Sequence, residues 1–567
     1  MKKSSKLYNA GLRVIKNLNM KLKLLALVML LGFGTIHAQK GPTNWFNLDL
    51  EKDGINGMSS ERAYTDLLKG KTSTTVIVAV IDGGVDPLHE DLKSVMWHNP
   101  GEIAGNGIDD DHNGYVDDVY GWNFIGGKDG KNVGSDQLEI TRLYAMYHKK
   151  FKNVNASSLS KKAKKEYDKY LELKDIVLDK QKKSKEGLEQ MNSTKERLGN
   201  ALDALAKALG DMALTEENLA KIDASDDQNL GMGIGIAQRS MAEGATSVQG
   251  IKDDIFEQIQ GGLDYYTSQS KYHYNPDFDG RSVVGDNYNN ITEKYYGNGD
   301  IKGPDAFHGT HVAGIIAADR TNSLGIKGAA NNVKIMGVRV VPDGDERDKD
   351  VANGIRYAVD NGAQIINMSF GKSYSWNKDI VDKAMKYAKK HGVLLVHAAG
   401  NDASNNDLGK NFPNDNYRKH GFLGLGAKTC NVWMEIGALS YKKDADAVAT
   451  FSNYGKKNVD IFAPGVAIYS TTPDGGYGDA SGTSMASPAA AGAAALLLSY
   501  YPNLSAKQLK EILEASGPKQ NYSVKQPGSE ELVPFSSLSK TGATVNVYKA
   551  LEMAKGMKGK RKGKHKF

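Results

Sequence analysis

The sequence predicts an α/β fold built around a mostly parallel sheet. Four short runs, at residues 75–81, 333–341, 365–370 and 393–398, are rich in valine, isoleucine, alanine and leucine. They are largely apolar and do not alternate regularly, as expected for strands that helices cover on both faces. Glycine-rich loops and helical segments separate the runs, and this alternation is typical of a parallel sheet.

Helices are predicted between these strands and near the end of the α/β region. Residues 350–361 and 378–391 are two of the connecting helices. Residues 487–500 are rich in alanine and leucine and begin at Ser487-Pro488. This composition predicts a buried helix with the proline in its first turn.

The middle of the chain is polar, rich in lysine and glutamate, and follows a different pattern. Apolar residues recur there at spacings of three and four, with charged residues between them: Leu188, Met191, Leu198, Leu202, Leu205 and Leu209. This spacing predicts an amphipathic helix, one half of a helical hairpin. Three roles stay open for it: simple packing on the α/β body, a lid over a cleft, or an arm that docks a partner.

These patterns divide the chain into five segments. A leader occupies 1–38, the α/β body occupies 39–125 and 303–554, a helical insertion occupies 126–302, and a basic tail occupies 555–567. We expect the tail to be solvated and disordered, with contact to anionic surface polymers as the alternative.

Residues 1–38 have the composition of an export signal. Seven basic and no acidic residues precede Gln39, and an apolar run extends from Leu24 to Ile36. This run is short for a membrane span, so we expect a signal peptide that is cleaved after Ala38. A retained membrane anchor is the alternative. After cleavage no stable membrane span is expected, and the mature chain would be secreted, periplasmic or at the cell surface.

Charge and cysteine content limit which partners the chain can bind and what can stabilise its fold. The net charge of +6 comes from the two ends, because seven basic residues lie in the leader and seven more follow Ala554. The body between them is net acidic, so no nucleic-acid partner is expected. The single cysteine, Cys430, permits no intrachain disulfide and is expected to be a buried apolar residue. An exported fold would then depend on its core or on metal ions.

An aspartate ends the first predicted strand, in the sequence Ile81-Asp82-Gly83-Gly84. An acid at the carboxyl end of a central strand lies where active sites form in α/β sheets. A buried carboxylate also needs a partner that offsets its desolvation. The alternative is an ordinary turn aspartate before glycine.

Two histidines stand at the start of a later helix, at His308 and His311. A pair at this spacing can share a helix face and bind a metal ion, but no acidic third ligand accompanies it at helical spacing. His308 at the mouth of the helix is the stronger candidate for a catalytic base.

A serine, Ser484, precedes the alanine-rich helix. Its hydroxyl would lie on an exposed turn, and the helix amide groups would face any oxyanion formed there. A weak hydroxyl nucleophile needs a base, and the base needs a carboxylate that orients it. Asp82, His308 and Ser484 supply these three groups in a chain order known for such triads.

The motifs around these residues resemble those of the subtilase family of serine peptidases. HGTHVAGIIAA at 308–318 and SGTSMASPAAAG at 481–492 are similar to the histidine and serine signatures along their whole length. VIVAVIDGGVDPLHEDL at 76–92 is similar to the aspartate signature, except that Gly83 stands where the family usually has serine or threonine. We therefore expect Asp82 to be held less firmly.

The resemblance implies a subtilisin-like three-layer fold and further site residues. Asn401 would donate its side-chain amide to the oxyanion. Ser369, Phe370 and Gly371 would pair with an extended substrate, and Ala398, Ala399 and Gly400 would line the cleft. The implied activity is endopeptidase hydrolysis of protein or peptide substrates through an acyl-enzyme, without an organic cofactor. A fold kept without catalysis and transfer of the acyl group to an amine are the alternatives.

An acidic loop between the first strand and the insertion predicts a structural calcium site. The positions at calcium-loop spacing are Asp109, Asp111, Asn113, Tyr115 through its carbonyl, and Asp117. Oxygen ligands at this spacing suit Ca²⁺. Position 12 of the loop is Tyr120 and not glutamate, so the loop is not an EF-hand. A solvated acidic turn is the alternative.

Overall fold

A computed structural model of the chain describes residues 41–409, 411–418 and 426–561, so the leader predicted at 1–38 lies outside the described residues. Its centre is a seven-stranded sheet of β1 (Val76–Asp82), β2 (Gly121–Asn123), β3 (Val333–Arg339), β4 (Ile365–Met368), β5 (Leu394–Ala398), β6 (Trp433–Leu439) and β7 (Ile461–Pro464). The strand order is β2-β3-β1-β4-β5-β6-β7, and all neighbouring strands are parallel. The predicted α/β class with a parallel sheet is confirmed.

Helices surround the sheet and fill the insertion. They are α1 (Ser60–Ala63), α2 (Glu139–Phe151), α3 (Lys161–Leu209), α4 (Glu216–Leu219), α5 (Gln228–Ala242), α6 (Val248–Ser268), α7 (Phe307–Ala317), α8 (Asp348–Asp360), α9 (Lys378–Lys390), α10 (Thr483–Tyr500), α11 (Ala506–Ser516) and α12 (Val547–Ala554). Single π-helical turns at Tyr64–Leu68 and Gln269–His273 continue α1 and α6. Two antiparallel hairpins pair β8 (Ile468–Thr472) with β9 (Gly476–Ala480) and β10 (Ser523–Lys525) with β11 (Leu532–Pro534).

The α/β body has three layers. Helices α7 and α10 pack on each other and against one face of the sheet, while α8 and α9 form the layer on the other face. The central strands are buried along their whole length, which explains why their sequences are almost continuously apolar. Because all the strands are parallel, their carboxyl ends lie at the same edge of the sheet.

The insertion forms a helical arm, defined here as α2 to α6. Helix α3 has 49 residues and is therefore roughly 70 Å long, and α6 runs back along it. A Cβ added to Gly187 of α3 would lie 2.4 Å from Cε1 of the Tyr266 ring in α6, so the glycine makes room for this ring between the two helices. The insertion limits of 126–302 stay a prediction, although α2 to α6 fall between them.

The arm has a small core at each end. Near the body, the aromatic rings of Tyr144, Phe151 and Tyr170 pack together. At the far end, the leucines at 202, 205 and 209 pack against Leu219, Leu230 and Ile251. The predicted apolar stripe is therefore buried in this part, whereas Leu188, Met191 and Leu198 are only half-buried. The far end of the arm therefore has its own hydrophobic core and is folded.

Residues 555–561 after α12 are attached to the body, contrary to the disorder expected from their composition, while the rest of the predicted tail, 562–567, lies outside the described residues. The backbone amide of Arg561 donates to the carbonyl of Asn503 at 3.0 Å, and that of Lys560 donates to Gln508 Oε1 at 2.8 Å. These bonds fix 555–561 against α11. Cys430 is buried, as expected, and burial raises the pKa of its thiol. None of the helices in the described residues is long and apolar enough to cross a membrane.

Candidate active site

The carboxyl edge of the sheet brings together segments that are far apart in the chain. Asp82 is the last residue of β1, Ser369 follows β4, and Asn401 lies three residues after β5. The order β1-β4-β5 makes these strands direct neighbours. The parallel register therefore places one carboxylate, one backbone segment and one amide at a single edge.

The Asp82 carboxylate is buried and hydrogen-bonded to His308. Asp82 is 2% exposed, and its Oδ1 lies 2.7 Å from His308 Nδ1. Helix α7 comes this close because Gly309 has no side chain: a Cβ there would lie 2.1 Å from the Gly84 carbonyl and 3.1 Å from Asp82 Cβ. The glycine after the histidine is thus a condition for the Asp82–His308 contact.

This contact sets the protonation of the imidazole. Desolvation acts to lower the pKa of His308, but the negative charge of Asp82 and the hydrogen bond to it outweigh this effect. The net result is that the pKa of His308 is raised above its usual value of 6.5. The imidazole side chain is still 42% exposed, so it can reach a substrate.

Gly83 changes how the carboxylate is held. The amide of Gly83 donates to Asp82 Oδ1 at 2.7 Å, so this oxygen has two partners. The second oxygen, Oδ2, is buried and has no hydrogen-bond partner among the described residues. Glycine at position 83 offers no side-chain hydroxyl, and no other described residue donates a hydrogen bond to Oδ2 in its place.

Ser484 is the second residue of α10, because this helix begins at Thr483 and not, as predicted, near Ser487. Pro488 consequently lies in the second turn, and it cannot donate to the Ser484 carbonyl four residues earlier because proline has no N–H. That carbonyl instead accepts from Ser369 Oγ at 3.0 Å, while Ser484 Oγ donates to the Ser369 carbonyl at 3.1 Å. The proline thus leaves a carbonyl free to tie α10 to the end of β4.

The Asn401 amide is oriented as a donor. Its Oδ1 accepts from the Thr483 backbone amide at 2.9 Å and from the Thr483 hydroxyl at 3.0 Å, which leaves Nδ2 as the group free to donate. A Cβ on Gly482 would lie 3.4 Å from Asn401 Nδ2 and 3.5 Å from the Ser484 amide nitrogen. The two nitrogen atoms therefore lie near one point beside Ser484, and such a placement of donors suits an oxyanion.

Three asparagines that the sequence analysis missed hold the Asn401 loop. The carbonyl of Ala399 accepts from the side-chain amides of Asn406, Asn411 and Asn453 at 2.8, 3.0 and 2.9 Å. Ala399 is fully buried and does not line the cleft, in contrast to the expectation from resemblance. Nothing in the local sequence marks these asparagines as partners of one carbonyl, because Asn406 and Asn411 lie in the connection from β5 to β6 and Asn453 lies in the connection from β6 to β7.

Two cavities flank the segment that follows β4. One, of about 540 Å³, is lined by Gly371, Ala398, Gly400, Asn401 and Ser484. The other, of about 460 Å³, is lined by Asp82, His308 and Asp343. Ser369 and Phe370 line both cavities, so the cavity that holds the nucleophile candidate and the cavity that holds the base candidate meet at this segment.

His311 has no part in this site. Its Nε2 lies 3.1 Å from the Gly478 carbonyl in the β8–β9 hairpin, and burial lowers its pKa to about 4. His308 bonds to Asp82 instead, so the two histidines do not bind a common ion.

The acidic loop gathers a different set of carboxylates from the one predicted. Oxygens of Glu102, Asp109 and Asp111 lie within 4.8 Å of one another. Asp117 is not among them, because its backbone takes a φ of +53° and its carboxylate accepts from the amides of Gly105 and Gly107. Asn113 and Tyr115 remain in the loop, where Asn113 Oδ1 accepts from the Tyr115 amide. Glu102 was missed because it precedes the spaced motif.

Comparison with known proteins gives concordant matches. The family model described as the subtilase family matches residues 73–532. Subtilisin DY of Bacillus licheniformis is 39% identical over 212 residues, which are 37% of this chain and 69% of that protein. The thermophilic serine proteinase of Bacillus sp. strain AK1 is 38% identical over 262 residues, 46% of this chain and 55% of that protein. A solved structure described as a protease of Pseudoalteromonas arctica is 26% identical, with a TM-score of 0.37 over 45% of this chain and 78% of that one.

The Asp82–His308 pair predicts how Ser484 reactivity depends on pH. Labelling of Ser484 by a fluorophosphonate should increase as His308 loses its proton, with a midpoint above pH 6.5. In Asp82→Asn the attraction that raises the pKa of His308 is gone and desolvation remains, so the midpoint should move to lower pH. The rate at pH 8 should fall by roughly 10⁴, because the ring is no longer held in the right tautomer. The measurement is the labelling rate as a function of pH.

Asp305→Asn is the control for this experiment. The Asp305 charge also raises the pKa of His308, but it is the smallest of the contributions. We expect a smaller downward shift and a rate close to that of the wild type. Equal midpoints in the wild type and Asp82→Asn would contradict the assignment of Asp82.

Proposed function

Since the chain belongs to the subtilase family and is thus a serine-type peptidase, we propose that it is a secreted endopeptidase that hydrolyses peptide bonds within proteins. The observation that carries this proposal is the 2.7 Å contact between Asp82 and His308 at the same sheet edge as Ser484 and Asn401. All the groups needed for acyl transfer are present in this one place.

Acylation begins with the Ser484 hydroxyl. Rotation about its Cα–Cβ bond would turn Oγ from the Ser369 carbonyl toward His308 Nε2, which takes the proton as Oγ attacks the substrate carbonyl carbon. Asp82 stabilises the resulting imidazolium through Nδ1 and keeps the ring in one tautomer. The new bond joins Oγ to carbon, and the electron pair of the carbonyl moves to its oxygen.

The oxyanion would be stabilised by Asn401 Nδ2 and the Ser484 amide. As the tetrahedral intermediate collapses, the carbon–nitrogen bond breaks and His308 gives its proton to the leaving amine. A water molecule then repeats the sequence, with His308 again as base, and releases the acid product. An added amine in place of water would give acyl transfer, which product masses can distinguish from hydrolysis.

An extended protein segment is the substrate form that suits the cleft. The backbone groups of Phe370 and Gly371 form no hydrogen bonds with other described residues, so they are free to pair with a peptide. Pairing of this kind uses the peptide backbone and needs no chain end, which favours cleavage within unfolded or flexible protein. Secretion is supported by the basic and apolar leader at 1–38.

We also propose a structural calcium ion at the acidic loop. The clustered side chains of Glu102, Asp109 and Asp111 provide hard oxygen donors, which is the donor chemistry that Ca²⁺ prefers. The same oxygens accept backbone amides, for example Asp109 Oδ2 from Gly114 at 2.8 Å, so loop shape and ion binding would depend on each other. The ion would clamp the loop that leads from β1 to β2, far from any role in the chemistry.

Two substitutions test the peptidase. Ser484→Ala should lower kcat by about 10⁶, because the nucleophile is removed. Asn401→Ala should lower kcat by roughly 10²–10³ while KM changes little, because its amide acts mainly in the transition state. Steady-state cleavage of an internally quenched peptide measures both. Unchanged cleavage by Ser484→Ala would exclude this site.

Thermal unfolding tests the calcium ion. With Ser484→Ala as background to prevent self-cleavage, excess chelator should lower the melting temperature by on the order of 5 °C, since a ligand bound only to the folded state stabilises it. Added Ca²⁺ should restore it. In an additional Asp111→Asn variant the chelator effect should vanish. A chelator effect that persists there would place the ion elsewhere, and no effect in either protein would refute it.

A further inference from the structure

The segment that pairs with substrate is fixed at its two ends and free between them. Ser369 is tied to Ser484 by the reciprocal hydrogen bonds described above, and Lys372 exchanges two backbone hydrogen bonds of 2.9 Å with Phe412. Between these anchors, Phe370 and Gly371 present their unpaired peptide groups. The position of this segment, called here the substrate strand (369–371), therefore depends on what holds the next residue, Lys372.

The side chain of Lys372 is buried in the base of the helical arm. It is 1% exposed, and its Nζ lies 3.3 Å from Glu139 Oε2, 2.9 Å from Asp348 Oδ1 and 2.7 Å from the Glu346 carbonyl. Glu139 begins α2, the first helix of the arm, whereas Asp348 begins α8 in the body. One lysine thus joins the substrate strand, the arm and the body.

The arm side of this contact is itself rigid. The Glu139 amide donates to Asp345 Oδ2 at 2.7 Å, and Glu139 Oε2 also accepts from Arg142 at 2.5 Å and 3.1 Å. Arg142 in turn donates to the Asp345 carbonyl at 3.0 Å. Because Glu139 and Arg142 are buried, water cannot replace their hydrogen-bond partners. A displacement of α2 would therefore move Glu139 and, with it, Lys372.

The returning end of the arm holds the other side of the cleft. His273, in the π-helical turn after α6, has Nε2 3.0 Å from Asp343 Oδ1, and Ser268 of α6 donates to Asp343 Oδ2 at 2.8 Å. Asp343 lines the cavity beside His308. Both ends of the arm are therefore attached to walls of the substrate cleft.

We propose that Lys372 is a positioning residue through which the helical arm holds the substrate strand in place for extended peptides. This inference rests on the proposed peptidase function and deepens it. The arm acts on the part of the strand beyond Ser369, because Ser369 keeps its own two hydrogen bonds to Ser484 and neither Asp82 nor His308 touches the arm. Substrates that bridge Phe370 and Gly371 depend on this link, whereas a small ester that enters only beside Ser484 does not.

The test compares two substrates in Lys372→Met. For a peptide that fills several positions along the substrate strand, kcat/KM should fall by about 10- to 100-fold, because the strand is no longer held in place. For a small acyl ester, kcat/KM should stay within about twofold of the wild type. Glu139 keeps Arg142 and Asp348 keeps Ser375 as partners, so the carboxylates left behind are not bare.

Lys349→Met is the matched control. Lys349 is also 1% exposed and bridges two carboxylates of the insertion, Asp286 at 2.7 Å and Glu293 at 2.9 Å, but it lies on α8 and does not contact the substrate strand. It should not change the ratio of peptide to ester activity. Lys372→Arg should restore most of the peptide activity, because it renews the charged contact.

A double-mutant cycle connects the effect to the arm. Glu139→Gln should reproduce the selective loss of peptide activity, and its combination with Lys372→Met should cost no more than either change alone, since both break one link. Equal losses for peptide and ester, or no selective loss in either variant, would overturn the proposal. If Lys372→Met does not fold, Glu139→Gln and Lys372→Arg still decide the question.

Failure of the proposed function would look different. In that case the wild type itself would cleave neither substrate, and a fluorophosphonate would not label Ser484. Labelling and ester hydrolysis that match the wild type, together with normal peptide cleavage in the variants, would leave the peptidase standing and remove only the role of Lys372.

Discussion

The hydrogen bond between the Asp82 carboxylate and the His308 imidazole is the contact on which the rest of the structure depends. It joins residues 226 positions apart, and the whole arm lies between them. The buried Asp82 carboxylate has no hydrogen-bond partner at Oδ2 among the described residues, so the contacts of Oδ1 with the imidazole and with the Gly83 amide must offset its desolvation. Arg339 supports the backbone next to Asp82. It is buried, its Nε donates to the Gly83 carbonyl at 2.7 Å, and its Nη2 donates to the Val133 carbonyl at 2.6 Å. Desolvation lowers the pKa of Arg339 to about 10.

The sequence predicts those parts of the site that local patterns specify. An apolar strand that ends in Asp82 and an alanine-rich helix near Ser484 can each be recognised from a few neighbouring residues, although the helix begins earlier than its composition predicts. Contacts between distant side chains cannot be recognised in this way. Lys372 and Glu139 are 233 residues apart, and neither local sequence marks the other as its partner. The acidic loop shows the same limit, because the turn at Asp117 decides which carboxylates face each other.

The base of the arm is charged where an apolar contact would have been simpler. Replacing a buried ion pair by well-packed apolar residues is often neutral or stabilising, so stability alone does not explain Lys372, Glu139 and Asp348. An ion pair adds directionality, because its hydrogen bonds form in one arrangement only, whereas two apolar surfaces can slide past each other. Burial raises the pKa of Glu346, which favours the neutral form of this carboxyl and limits the negative charge of the cluster. The arrangement favours one fixed position of the arm over the body.

The place of the arm in the chain explains why it can act on binding without disturbing the chemistry. Asp82 is fixed by β1 and His308 by α7, whose close approach depends on Gly309 against Gly84, and all of these belong to the body. In the chain, the arm begins after Asp82 and ends before His308. Its buried contacts nevertheless reach the substrate strand and the cavity wall at Asp343. A displacement of the arm would therefore change the fit of an extended peptide while the Asp82–His308 distance is preserved. Selectivity, and not the rate of bond breaking at a small substrate, is the property that such an insertion can vary.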